Sequence, residues 1–192
     1  MKKGTLFVIS APSGAGKSTL IEIIRSMFPD MLYSVSCATR AARKGEIEGK
    51  DYYFVTKDKF QEMIEAGEFI EWKPVHGAMY GTPAGPVREA IETGQTMILD
   101  IDVEGAKEVF KAFPDAIGIF ISVPDMNTLE KRLRLRETDS EESIATRLAN
   151  ARRETETASI FRYQIVNDKL EKAVSDLASI IRKESPGMAH RS

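Results

Sequence analysis

An uninterrupted β-prone run, Leu6-Phe7-Val8-Ile9, passes through Ser10-Ala11-Pro12-Ser13-Gly14-Ala15-Gly16 directly into a helical pattern. A strand without polar alternation is buried on both faces, the habit of parallel sheets. Downstream, Leu20, Ile23, Ile24, Met27 and Phe28 recur at i, i+3, i+4, i+7 and i+8, which places them on one inward helical face. The link between strand and helix ends in Gly14-Ala15-Gly16-Lys17-Ser18, and this strand, glycine loop and helix is the context a phosphate-binding loop needs. Glycines let backbone N–H groups close around phosphate oxygens, and the helix N-terminus adds partial positive charge. Lys17 can reach β- and γ-phosphates, and the Ser18 hydroxyl can face Mg2+. The consensus G-x-x-x-x-G-K-[ST] would begin at position 11, where this chain has Ala11. The plainer alternative is a glycine turn that merely starts a helix.

The same rhythm recurs. Thr96 to Ile101 reads as a strand, followed by a helix with Ala106, Val109, Phe110 and Phe113 on one face. Ile117 to Val123 is a second buried-type strand. Tyr163 to Val166 is a short one, followed by a helix with Leu170, Val174, Leu177 and Ile181 inward. Strands alternating with helices predict an α/β fold: a parallel sheet of about five strands, right-handed crossovers, helices on both sides. Two stretches break the rhythm, 35–82 and 125–157. The first is rich in Gly, Tyr and charge; the second is dense in Arg among acids. Long excursions at the rim of such a sheet are usually functional.

Composition narrows the partners. The 192 residues suit one domain, with 42% hydrophobic and 29% charged residues, as in an ordinary globular chain. A formal net charge of −2 argues against a chain built to coat nucleic acid. No apolar run reaches membrane-span or signal-peptide length, so the expected location is cytoplasmic. The lone Cys37 suits a reducing compartment and reads as a small buried thiol, and no Cys/His cluster has zinc spacing. His76 reads as a loop residue or a neighbour of Trp72.

Two carboxylates close the strand Met97 to Asp102. Period two puts Asp100 and Asp102 on one face at the carboxyl end of the sheet, where open α/β sheets bind ligands. Either could instead cap the next helix, Asp102 more readily. Arg40 and Arg43, three residues apart, offer guanidinium forks matched to phosphate, with Tyr52 and Tyr80 further on. Singly, such residues are as often solvated surface or filler.

In order along the chain, these pieces form a recognisable series: Ser10 to Thr19, Val35 to Arg43, Gly45-Glu46, Gly49-Lys50-Asp51-Tyr52, Phe69-Ile70-Glu71-Trp72, Tyr80-Gly81-Thr82, Leu99-Asp100-Ile101-Asp102 with Gly105, and Ile165-Val166-Asn167-Asp168. The chain closely resembles the guanylate kinases, P-loop nucleoside-monophosphate kinases, from Gly4 to about Lys183. The resemblance implies one domain over 1–192: a core of 1–34, 83–124 and 158–184, a GMP-binding insertion at 35–82, and a lid at 125–157. It implies transfer of the γ-phosphoryl group of ATP to GMP, and to dGMP, with Mg2+. By it, Ser13, Gly14, Ala15, Gly16, Lys17, Ser18 and Thr19 hold ATP, with Asn167 near the adenine. Ser18, and Asp100 through water, serve the metal. Arg40, Arg43, Tyr52 and Tyr80 hold the GMP phosphate with Ser36 beside them, while Ser36, Glu71, Thr82 and Asp102 read guanine. Arg132, Arg136 and Arg147 belong to the lid; Arg132 and Arg136 also contact ATP, and Lys17, Arg136 and Arg147 are the catalytic residues. On a helix Arg132 and Arg136 share a face, although all three arginines could simply pair with neighbouring acids. The family usually has Gly where this chain has Glu137. Two rivals remain: a non-catalytic guanylate-kinase-like interaction module, and a P-loop kinase for another phosphorylated substrate.

Overall fold

Every residue of the first strand is buried, which only the middle of a covered sheet allows. The computed structural model describes residues 3–75, 77–135 and 140–188. The chain runs β1 (Leu6–Ser10), α1 (Lys17–Met27), β2 (Leu32–Tyr33), β3 (Cys37–Ala38), β4 (Tyr53–Phe54), α2 (Lys57–Glu65), β5 (Phe69–Val75) and β6 (Ala78–Pro83). It continues through α3 (Ala84–Glu92), β7 (Met97–Asp100), α4 (Val103–Ala112), β8 (Ile117–Ser122), α5 (Met126–Arg134), α6 (Glu141–Glu156), β9 (Tyr163–Val166) and α7 (Leu170–Glu184).

Five strands form one parallel sheet in the order β2-β7-β1-β8-β9. The order leaves β1 in two directions, so the crevice for ligands opens beyond its carboxyl end. Register places Ile9 beside Asp100 and Ser10 beside Phe120, which brings the glycine loop next to the end of β7. One core layer packs Phe7, Ile9, Ile98, Ile119 and Ile121 against α1 and α7. The other packs Val8, Leu99 and Phe120 against Val87 of α3 and Val109 of α4. This is the α/β architecture expected from the alternation.

Two inward faces differ from their prediction. Helix α1 buries Leu20, Ile21 and Ile24, with Phe28 just beyond its end, while Met27 is 42% exposed. The helix is wedged between the sheet and α7, so its buried arc is rotated toward Ile21. Helix α7 buries Ala173, Leu177, Ala178 and Ile181, while Leu170 at its first position is 37% exposed. Alanines at the contact let α7 lie close to α1, and the opening leucine falls outside that contact.

Residues of the 35–82 stretch build a second sheet in the order β4-β3-β6-β5. Its β5–β6 hairpin is antiparallel, and β6 pairs antiparallel with β3. Phe60 of α2 stacks on Phe69 of β5 at 4.5 Å between ring centroids, anchoring the helix to the hairpin. Residues of the 125–157 stretch form α5 and α6, which share their own small core of Leu129, Leu133, Ile144 and Ala151. Among the described residues no helix is long and apolar enough to cross a membrane.

Candidate functional site

The loop after β1 is shaped by two glycines. Gly14 has φ +95° and Gly16 φ +89°, the left-handed region that side chains avoid. A side chain would also force its neighbours aside: a Cβ on Gly16 would lie 2.5 Å from Asn167 Nδ2, and one on Gly14 would lie 2.9 Å from Leu133. Asn167 is buried, and its amide donates to the Ala15 carbonyl at 2.7 Å, tying the loop to the end of β9. Ala11 is buried in the same loop. Gly16 caps α1 without any side-chain bond, and no acid stands in the first turn. The leading amides of α1 and its positive pole are therefore left for an anion. Ser18 and Thr19 are exposed there.

Lys17 lies across the seam between loop and sheet. Its ammonium is 2.6 Å from Asp100 Oδ1 and donates to the Ile101 carbonyl at 3.1 Å. Asp102 is not in the strand; it is the N-cap of α4, accepting the Gly105 N–H at 2.9 Å. The capping alternative is thus realised, yet Asp102 also borders the cavity described next.

A cavity of about 410 Å³ opens between the two sheets, and Lys17, Ser36, Arg40, Arg43, Tyr52, Glu71, Tyr80, Asp100 and Asp102 all line it. One end is cationic. Arg40 donates Nε–H to the Tyr80 hydroxyl at 2.9 Å and its fork to Glu46 at 2.5 and 2.7 Å. It lies over the Tyr52 ring, 4.9 Å from the centroid, and Tyr52 meets Tyr80 edge to face. Arg40 and the Arg43 N–H hold the Glu46 carboxyl down to about 2. Tyr80 lines the cavity while its hydroxyl oxygen accepts from Arg40, and a hydroxyl that accepts can also donate. Burial, then the neighbouring Tyr80, raises the Tyr52 hydroxyl, which keeps it a donor. Arg43 is exposed at the rim.

The other end is a carboxylate pocket. Thr82, fully buried, donates its hydroxyl to Glu71 Oε1 at 2.5 Å. The pairing of β5 with β6 shifts register between Phe69 and Glu71, and such a bulge re-aims a side chain. Burial raises the Glu71 carboxyl, against lowering by Thr82 and Lys73. Lys73, two residues on, pairs with Asp102 Oδ2. Cys37 is buried in β3 of this sheet, and burial pushes its thiol up to about 11, so it is an inert packing group.

The two helices beyond β8 reach back to the loop. Arg147 of α6 donates Nη1–H to Ser13 Oγ at 2.6 Å, and Arg132 of α5 donates to the Asn167 carbonyl at 2.9 Å. Arg136, Glu137 and His76 lie outside the described residues. Lys73 and Glu154 of α6 are not marked as site residues by the sequence motifs, and Glu46 lies in a motif without an assigned role; the half-buried Glu154 carboxyl is raised by burial and lowered by Lys17 and Lys73. Lys73 had a signal: it is two residues from Glu71 on a strand, hence on the same face. Glu46 stands in the motif series and meets Arg40 and the Arg43 N–H locally, whereas Glu154 had no signal, because the tertiary fold brings Lys17 and Lys73 to it.

Arranged this way, the site can bind an anion chain on the loop and a second phosphorylated ligand in the cavity, with Lys17 common to both. A family model described as guanylate kinase matches residues 3–184. The chain is 46% identical to the guanylate kinase of Chromobacterium violaceum, covering 94% of this chain and 86% of that protein. It is 49% identical to the guanylate kinase of Syntrophotalea carbinolica, covering 95% and 87%. Among solved structures it is similar to guanylate kinase from Anaplasma phagocytophilum, with a TM-score of 0.74, 33% identity, and 96% and 88% of the two chains covered.

Proposed function

The chain belongs to the guanylate kinase family, and from that premise we propose how its residues carry the γ-phosphoryl group of ATP to GMP, giving ADP and GDP. One observation carries the reading: Lys17 of the phosphate loop lines the same cavity as Arg40, Tyr80, Glu71 and Asp102. Donor and acceptor phosphates would meet over that ammonium.

ATP lies along Ser13, Gly14, Ala15, Gly16, Ser18 and Thr19, its phosphates on the leading amides of α1, with Asn167 near the adenine and Arg132 reaching ATP from the lid. The GMP phosphate takes Arg43, the Tyr52 and Tyr80 hydroxyls, and the remaining N–H of Arg40, with Ser36 beside it. Guanine presents N1–H and a 2-amino group to Glu71 and Asp102, while Thr82 orients the Glu71 carboxylate. Adenine offers a bare N1 acceptor at the same place, and acceptor facing acceptor costs about 1–3 kcal/mol or more.

The GMP phosphate is already a nucleophile at neutral pH, so no strong general base is required. Catalysis is alignment plus neutralisation of charge by Lys17, Arg136 and Arg147. The donors for Mg2+ are hard oxygens, the Ser18 hydroxyl and the Asp100 carboxylate through water, which suits that ion. Bound with ATP, Mg2+ would neutralise charge on the β- and γ-oxygens. Residues 35–82 form the GMP-binding insertion and 125–157 a lid that excludes water on closing, around a core of 1–34, 83–124 and 158–184. The setting is purine nucleotide metabolism in the cytoplasm. A coupled ADP-release assay across GMP, dGMP, AMP, CMP and UMP tests the reading. GMP and dGMP should exceed the others by at least about a hundredfold in kcat/KM; comparable turnover of AMP would contradict it.

A further inference from the structure

Two lysine–aspartate pairs stand side by side where β7 ends: Lys17 with Asp100, and Lys73 with Asp102. The phosphate loop accounts for the first. The second belongs to the base end of the cavity. Register sets Glu71 opposite Thr82 and Lys73 opposite Tyr80, so Glu71 and Lys73 share the inward face of β5, while Trp72 between them is exposed. Glu71 and Asp102 converge on one glycine: a Cβ on Gly105 would lie 3.3 Å from Glu71 Oε2 and 3.4 Å from Asp102 Oδ1.

Burial favours the protonated form of the Glu71 carboxyl, and Asp102 adds a second acid to the same pocket. That proton would invert the chemistry of the site. A protonated Glu71 is a donor; it would face guanine N1–H donor to donor and would fit adenine N1 instead. Guanine reading therefore needs a cation beside the pair. The groups facing Glu71 and Lys73 are the Thr82 hydroxyl of β6, Asp102 and Glu104 at the start of α4, Lys17 of α1 and Glu154 of α6. Lys17 is held by Asp100 and the Ile101 carbonyl. Lys73 pairs with Asp102 and shares the inward face of β5 with Glu71.

Resting on the guanylate kinase reading, we propose that Lys73 is a specificity-determining positioning residue, whose ammonium lets Glu71 and Asp102 stand together as acceptors for the guanine edge. Burial raises the Glu71 carboxyl, and the Thr82 hydroxyl and then Lys73 lower it. Burial in turn lowers the Lys73 ammonium, with Glu71, Glu154 and Glu104 raising it and Lys17 lowering it further. Seating a base expels water and strengthens both effects.

The test is kcat/KM for GMP and for AMP, from about pH 5.5 to 8.5, in wild type, Lys73→Met and Lys73→Arg. AMP carries the same phosphate, so the GMP/AMP ratio cancels the titration of that phosphate. Without the cation Glu71 binds its proton at higher pH. In Lys73→Met the acid limb of the ratio should move up by about one unit, with a loss of about tenfold near pH 6 and a smaller loss near pH 8. Lys73→Arg should restore the wild-type limb. A Met variant with an unshifted limb overturns the inference, whether the ratio is unchanged or falls equally at every pH. Lys73→Gln replaces it should the Met variant fail to melt cooperatively. A wild-type protein that does not prefer GMP at any pH would instead sink the functional reading.

Discussion

Gly16→Ala exposes how tightly the phosphate loop is held. The new Cβ meets two obstacles. At φ +89° the backbone strain of a non-glycine residue is about 1–2 kcal/mol. The Cβ would also lie 2.5 Å from Asn167 Nδ2, an atom fixed by its buried bond to the Ala15 carbonyl. Asn167 must then move, and leaving that carbonyl unpaired costs about 1–3 kcal/mol more. The sum, about 2–5 kcal/mol, is a large share of the ~5–15 kcal/mol that holds a domain. Asn167→Ala alone should cost about 1–3 kcal/mol for the same orphaned carbonyl. Because the carbonyl can be lost only once, Gly16→Ala in the Asn167→Ala background should cost only the backbone strain. Urea unfolding of the two single variants and the double gives the cycle, with an expected coupling of about 1–3 kcal/mol. Additive costs would refute the argument that Asn167 is what bars a side chain at position 16.

Three further outcomes follow from the site. Glu71→Gln should weaken the preference for GMP over AMP by at least about tenfold in kcat/KM, because the amide can donate to adenine N1 while losing the charge-assisted bond to guanine; an unchanged ratio would mean that Glu71 does not read the base. Arg147→Ala and Arg136→Ala should each lower kcat more than they raise KM for GMP, as expected of contacts completed in the closed, reacting state, while Glu137→Gly should be mild; steady-state kinetics decides this, and wild-type rates in both arginine variants would remove the lid role. Cys37, buried and with its thiol raised to about 11, should resist iodoacetamide at about pH 8 in the folded protein and react on unfolding, as read by mass spectrometry.

What the sequence shows of this molecule follows physical range. The run Leu6 to Ile9 and the loop glycines are local signals, and the strand, loop and helix formed where they point. Asp100 and Lys17 are far apart in the chain but each is marked by its own element, so their meeting follows from a parallel sheet. The second sheet was less legible. Strands β3 and β4 are two residues each, too short to carry a periodicity, and they exist because β6 and β3 pair across about forty residues. Met27 and Leu170 show the limit of a helical pattern: it identifies an apolar stripe, but neighbouring helices decide which edge of the stripe is covered. Asn167 illustrates the same point for a polar residue. Its place after β9 is visible in the sequence, whereas its amide bond to the loop needs the fold.

In the proposed mechanism one ammonium, that of Lys17, serves both phosphates across the seam between loop and cavity. The most direct measurement is the initial rate of Lys17→Ala at saturating ATP and GMP, alongside its circular dichroism spectrum and thermal melt. Lys17 is partly exposed and its partners Asp100 and the Ile101 carbonyl lie at the open end of the sheet, so the variant should remain folded. Its turnover should fall by about a thousandfold or more, as expected if Lys17 neutralises charge on the transferring group. A folded Lys17→Ala protein turning over at close to the wild-type rate would rule out that role for Lys17.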